Sequence, residues 1–220
     1  MRTVAVVLAA FAYCLLSAVL PDVPPGVDGT IGAVVVFVAV LAAALLGDVP
    51  FPAVLVALGA AMTAAVLVAS GAHTAATIPQ AVTCACIGAL FARAMTFPAL
   101  VLVLPLIVGV IDAVAVGSGG VPFAAGGTGD LLSLDVPAWG GGTVLRVGVA
   151  DPIFAAVFWT WARRLDLRER ETGAALLAAV AAAVLLTVAA EVNVPALPLL
   201  ALAFYLPNLD RLAPLVRQTG

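Results

Sequence analysis

Apolar runs, each close to the length of helix that crosses a bilayer, follow one another along this 220-residue chain. A hydrocarbon core about 30 Å thick takes about 20 apolar residues as helix. In lipid only helices and closed barrels satisfy their own backbone polar groups. On that measure the sequence predicts eight spans, over residues 3–20, 31–47, 52–71, 76–95, 97–117, 143–161, 173–190 and 194–206. Proline and glycine mark the breaks, as in Pro21, Pro24, Pro25 and Gly26 after the first run and Pro50 after the second, because proline has no N–H to continue a helix. The expected fold is therefore an all-α, polytopic transmembrane bundle. A glycine-rich outer loop, residues 118–142, separates its fifth and sixth spans. The organisation divides into N-terminal scaffold helices over 1–96 and a second group over 97–220.

Composition agrees: 65% of the residues are hydrophobic, against about 45–50% in soluble domains. Of the 21 charged residues, seven lie in the connector from Arg163 to Glu171. Nine arginines, no lysine and a net charge of −3 leave no basic surface for nucleic acid. Cys14, Cys84 and Cys86 lie in apolar runs and form no disulfide framework. His73, the one histidine, has no second His or thiolate at ligand spacing, so no metal is expected. The first run exceeds the roughly 7–15 apolar residues of a cleaved leader and reads as a span. Trp139, Trp159 and Trp161 read as interfacial belt residues.

Cytoplasmic loops carry the arginine excess. With eight spans both chain ends face one side, and placing them in the cytoplasm puts every arginine except Arg146 inside. The fifth helix then runs outward and the sixth inward.

Two acids lie within spans, Asp112 in the fifth and Asp151 in the sixth. Each costs roughly 2.5–3.5 kcal/mol at mid-membrane on insertion scales, so each needs a partner or a purpose. About fifteen and eight residues into antiparallel helices, they lie at depths of roughly 22 Å and 12 Å from opposite sides. No cation lies at that depth. Two such carboxyls face each other only if at least one is protonated, which suits an aspartic protease dyad in which one acid donates and the other activates water. The same acids also suit a proton or cation relay in a transporter, or separate structural roles. The surroundings are small residues, Gly148, Val149 and Ala150 before Asp151 and Gly109 and Ala113 near Asp112, which allow close backbone approach. Pro195 and Pro198 loosen the start of the eighth span, an irregularity tolerated where backbone lines protein or a wet cavity.

An apolar helix with one Asp, then Gly148-Val149-Ala150-Asp151, then Pro195-Ala196-Leu197 occur in that order. This resembles the presenilin and signal peptide peptidase family of intramembrane aspartyl proteases, in particular its compact archaeal members. The similarity spans about residues 97–207. The family pattern has Tyr before the first acid, where this chain has Ile111, and Gly before the second, where it has Ala150. The family typically has nine spans; eight are counted here.

The resemblance implies Asp112 and Asp151 as catalytic residues, with Gly148, Val149, Ala150, Pro195, Ala196 and Leu197 supporting substrate binding. It implies cleavage of transmembrane segments such as leftover signal peptides, without metal or organic cofactor. The residue 118–142 loop and Pro195 to Leu197 would pair with the unwound substrate. The arginine count gives the aspartate helices the orientation of signal peptide peptidase. Implied partners are such substrates and the lipid bilayer, with a homo-oligomer left open, and the location is a multi-pass place in the cell membrane. Rival readings are a carboxylate-based proton or ion-coupled transporter, for which inverted repeats would be expected, the prepilin peptidases, and a non-catalytic relative that binds spans.

Overall fold

A computed structural model describes residues 2–95, 97–118 and 132–217. The helices are α1 (Arg2–Leu16), α2 (Pro25–Ala44), α3 (Pro50–Ala69), α4 (His73–Ala94), α5 (Pro98–Gly117), α6 (Ala150–Arg164), α7 (Glu169–Ala190), α8 (Ala196–Tyr205) and α9 (Leu209–Arg217). Between α5 and α6 lie two strands, β1 (Ser133–Pro137) and β2 (Thr143–Gly148). Six of these helices, α2 to α5, α7 and α1 as prolonged to 18 residues by the 3-10 turn Ser17–Val19, are long and apolar enough to cross a membrane, the character of a multi-pass membrane protein. At 15 and 10 residues, α6 and α8 are shorter than a full crossing.

Proline placement explains several helix starts. Pro25, Pro50 and Pro98 each occupy a first-turn position, where the missing N–H has no intrahelical partner to lose and φ is already helical. The second span thus begins at Pro25 and not at residue 31, because the proline run that ends α1 also starts α2.

The all-α expectation needs a larger correction. The first third of the expected sixth span, Thr143–Gly148, is a strand, paired antiparallel with Ser133–Pro137 in the register Ser133↔Gly148, Leu134↔Val147, Asp135↔Arg146 and Val136↔Leu145. The turn runs through Gly140, Gly141 and Gly142 at φ of +81°, +105° and +88°, a region that costs glycine nothing. Residues 119–131 of the glycine-rich loop lie outside the described residues.

One apolar core runs through the bundle, shared by helices from both halves of the sequence. At its centre α4 packs against α1, α2, α3, α6 and β1. Gly88 makes the α4–α6 crossing close: a Cβ there would strike the Ile153 carbonyl and the Ala156 methyl. Phe158, Trp161 and Phe204 join α6 to α8, with the Phe158 and Phe204 rings stacked 5.4 Å apart. Trp161 is not an interfacial belt residue. It is 1% exposed and its indole N–H donates to the carbonyls of Ala92 and Met95, satisfying the end of α4.

The two ends of the bundle carry different charge networks. At one end Arg93 donates to the Gly47 and Asp48 carbonyls, Arg163 pairs with Asp48 and Glu169, and Arg168 pairs with Asp210. Arg146, which the sequence singles out, pairs with Asp135 in the hairpin. There β1 lies against the first turns of α4, with the Thr77 hydroxyl donating to the Asp135 carbonyl. The hairpin turn is anchored as well: the Trp139 indole N–H donates to the Tyr13 hydroxyl at 3.0 Å and the Gly140 N–H to the Ser17 carbonyl at 3.2 Å.

Candidate active site at the hairpin end of α5, α6 and α8

Each element brings one part of the sequence pattern to the hairpin end of the bundle. Asp112 lies five residues before the last residue of α5, and Asp151 is the second residue of α6. The expected depth of eight residues for Asp151 is corrected by the strand: α6 starts at Ala150, so the acid stands at a helix entrance. The consequence is that Asp112, near the last turn of α5, and Asp151, in the first turn of α6, lie toward the same end of the bundle. Their carboxyl groups are close enough for the charge of Asp112 to act on Asp151. Both are half-buried.

Asp112 also meets the third motif. The Leu197 backbone N–H donates to Asp112 Oδ2 at 3.0 Å. The reason is local to α8. Pro195 is the residue before the helix, with extended backbone, and Leu197 is its second residue. Its N–H is therefore one of the first-turn donors that no helical carbonyl reaches, and a carboxylate satisfies it well. Proline at 195 holds the chain extended up to the helix start.

Two further contacts carry α5 on α8. Gly109, one turn before Asp112, faces Pro198, and a Cβ at this glycine would come within 3.3 Å of the Pro198 Cα. Near the other end of α8, the Tyr205 hydroxyl donates to the Leu102 carbonyl, three residues before Pro105. Among the described residues α5 packs along α8 and against α9, with no extended face shared with α6. The expectation that α5 and α6 are neighbours is thus corrected: α8 stands between them, and the acids approach across its N-terminal end.

Gly148, Val149 and Ala150 form the link from β2 into α6. A Cβ on Gly148 would meet nothing within 4 Å, so this glycine borders open space beside Asp151. The Val149 N–H donates to the Leu132 carbonyl at 3.1 Å, extending the strand pairing to the edge of α6. Ala150 is exposed, so its methyl presses on no packed neighbour. Pro195 and Ala196 are half-buried and Leu197 is buried. The residues that α5 and α6 rely on, Gly88, Gly109, Tyr205 and the Asp135–Arg146 pair, carry no motif. Only the Gly140 to Gly142 run and the β-branched stretch Thr143-Val144-Leu145-Arg146-Val147 pointed to the hairpin.

No group of three or more His, Cys, Asp or Glu that could hold a metal ion occurs among the described residues. Two carboxyls beside open space, one held by a helix N-terminus, can bind and polarise a water between them. Comparison of the chain with protein-family models, with curated proteins and with solved structures gives no match.

Proposed function

We propose that this protein is an intramembrane aspartyl protease of the presenilin and signal peptide peptidase type, with Asp112 and Asp151 as its catalytic pair. One observation carries the reading: Asp112, near Asp151, accepts the backbone N–H of Leu197, the last residue of the Pro-Ala-Leu motif. Three motifs far apart in sequence meet at one place, which a set of unrelated structural acids would not require.

Chemistry of this type needs one of the two acids protonated and the other ionised. The ionised acid takes a proton from water as the water oxygen bonds to the scissile carbonyl carbon. The protonated acid gives its proton to the carbonyl oxygen. The resulting gem-diol collapses, the C–N bond breaks, and the nitrogen leaves with a proton, giving a carboxylic acid and an amine. The substrate span must unwind first, since a helix hides its carbonyls. The strand β2, which pairs with β1 on one side, and the Pro195 to Leu197 segment supply backbone groups against which an extended segment can lie. The arginine-rich end faces the cytoplasm, so the catalytic pair lies toward the outer half of the membrane and spans with a cytoplasmic N-terminus are the favoured substrates.

The test is cleavage of single-span substrates of both orientations by the purified protein in lipid vesicles, run in ¹⁸O-labelled water. The expected result is a cut within the apolar span and label in the new carboxyl group, with the N-terminus-in orientation preferred. No cleavage of either orientation, with proton or cation flux across the same vesicles, would replace the reading with transport.

A further inference from the structure

The hairpin before α6 poses a problem of register, and the structure contains a device that solves it. Its turn is three consecutive glycines at positive φ, tied to Tyr13 and Ser17 through Trp139 and Gly140, and glycines carry no side chain to resist the backbone change that a shifted pairing needs. The apolar residues discriminate only weakly between registers two residues apart, because a two-residue shift keeps every side chain on its face. Leu134 and Val136 of β1 face Val147 and Leu145 of β2, and a two-residue slip sets Leu134 against Leu145 on the same face, keeping that apolar pair while Val136 moves opposite Thr143. What a slip would break is the pairing of Asp135 with Arg146, which are direct cross-strand partners joined Nε to Oδ1 at 2.7 Å, the Asp135 side chain only 4% exposed. Slipped by two, Asp135 would face Val144 and its buried charge would lose this partner. A buried charge left alone is strongly unfavourable, so the pair selects one register from the set that the apolar pattern allows.

The register decides where Asp151 stands. β1 is fixed to α4 through Thr77, and β2 runs within three residues into Asp151. At about 3.3 Å per residue, a two-residue slip would pull the start of α6 by about 7 Å along the strand, enough to part the two acids. We propose that Asp135 and Arg146 are positioning residues: a buried cross-strand ion pair that locks the hairpin register and so places Asp151 against Asp112. The inference rests on the proteolytic reading for its consequence in catalysis, and on the hairpin alone for the lock.

The test separates these two. Cysteine pairs report register in lipid vesicles: Leu134→Cys with Val147→Cys for the observed pairing, and Leu134→Cys with Leu145→Cys for the slipped one. With Asp135 and Arg146 intact, only the first pair should cross-link. In the Asp135→Asn/Arg146→Gln background, which removes both charges of the pair together, the slipped pair should cross-link as well. In that same double variant kcat should fall about 10- to 100-fold, as for a small misplacement of a reacting group, with KM little changed, and cleavage should spread over several positions. Arg146→Lys should restore cross-linking in the observed register alone. Failure of the slipped pair to cross-link in the neutral double variant would overturn the lock. Slippage with unchanged kcat would overturn its link to Asp151. Slippage in a protein that cleaves no substrate would uphold the lock and overturn the protease reading.

Discussion

The two aspartates are held in opposite ways. Asp151 stands on α6, whose buried face meets α4 so closely that Gly88 has no room for a side chain, and whose start is tied through β2 to β1 and α4. Asp112 stands on α5, a helix with much of its surface exposed, carried on α8 by the Leu197 N–H, the Gly109–Pro198 contact and the Tyr205 hydroxyl. The helix of one acid is built into the core and the helix of the other is carried on its edge. The difference teaches where stability and activity should separate. Changes at the α4–α6 crossing should damage both, whereas changes at the α5–α8 seam should spare the fold and separate the acids.

The largest effect is expected at Gly88. Gly88→Val drives a side chain into the Ile153 carbonyl and the Ala156 methyl, and overpacking of this kind costs about 1–3 kcal/mol. Thermal unfolding in detergent should fall clearly and cleavage should disappear with it. A variant with wild-type melting behaviour would break the contrast from the α6 side.

Gly109→Val is the matched change on the other helix. It presses on Pro198 and should lift Asp112 from the α8 N-terminus. Cleavage should drop about 10- to 100-fold while the melting temperature stays near that of the wild type. Equal loss of stability and activity would mean that α5 is as integral to the core as α6. Tyr205→Phe is milder, since it removes one hydrogen bond worth about 0.5–1.5 kcal/mol from the same seam. A few-fold fall in kcat with unchanged unfolding is the expected outcome in the same assay. Least of all should follow from Ala150→Gly, which restores the glycine of the family pattern at an exposed position. Cleavage rates should be indistinguishable from wild type, and a large gain would show that the Ala150 methyl obstructs substrate.

Much of this arrangement was legible in the sequence, for identifiable reasons. Helix length against bilayer thickness located six full spans, and two uncompensated acids in apolar runs marked Asp112 and Asp151. The strand Thr143–Gly148 was misread because an apolar run of this length suits a helix as well as a strand, and residues 143–161 together have the length of one span. The misreading displaced Asp151 from the start of α6 to its middle. The place of α8 between α5 and α6 was not legible, because chain order says nothing about which helices share a face. Trp161 was misread for a similar reason: an indole near a helix end serves an interface or a buried carbonyl equally well, and only the position of Met95 and Ala92 decides. The Leu197 N–H had a visible cause, since Pro195 dictates a helix start and a helix start exposes donors; that Asp112 receives one of them is a fact of packing.

The most direct test of the central claim, that Asp112 and Asp151 act as one catalytic pair, is single-turnover cleavage of a preferred substrate in lipid vesicles by the wild type, Asp112→Asn and Asp151→Asn. Each substitution should slow cleavage by at least about 10²- to 10⁴-fold, the range for loss of a general acid or base, and the double variant should be no slower than either single one, as expected of groups that act as a unit. Substantial cleavage by either single variant would contradict the account.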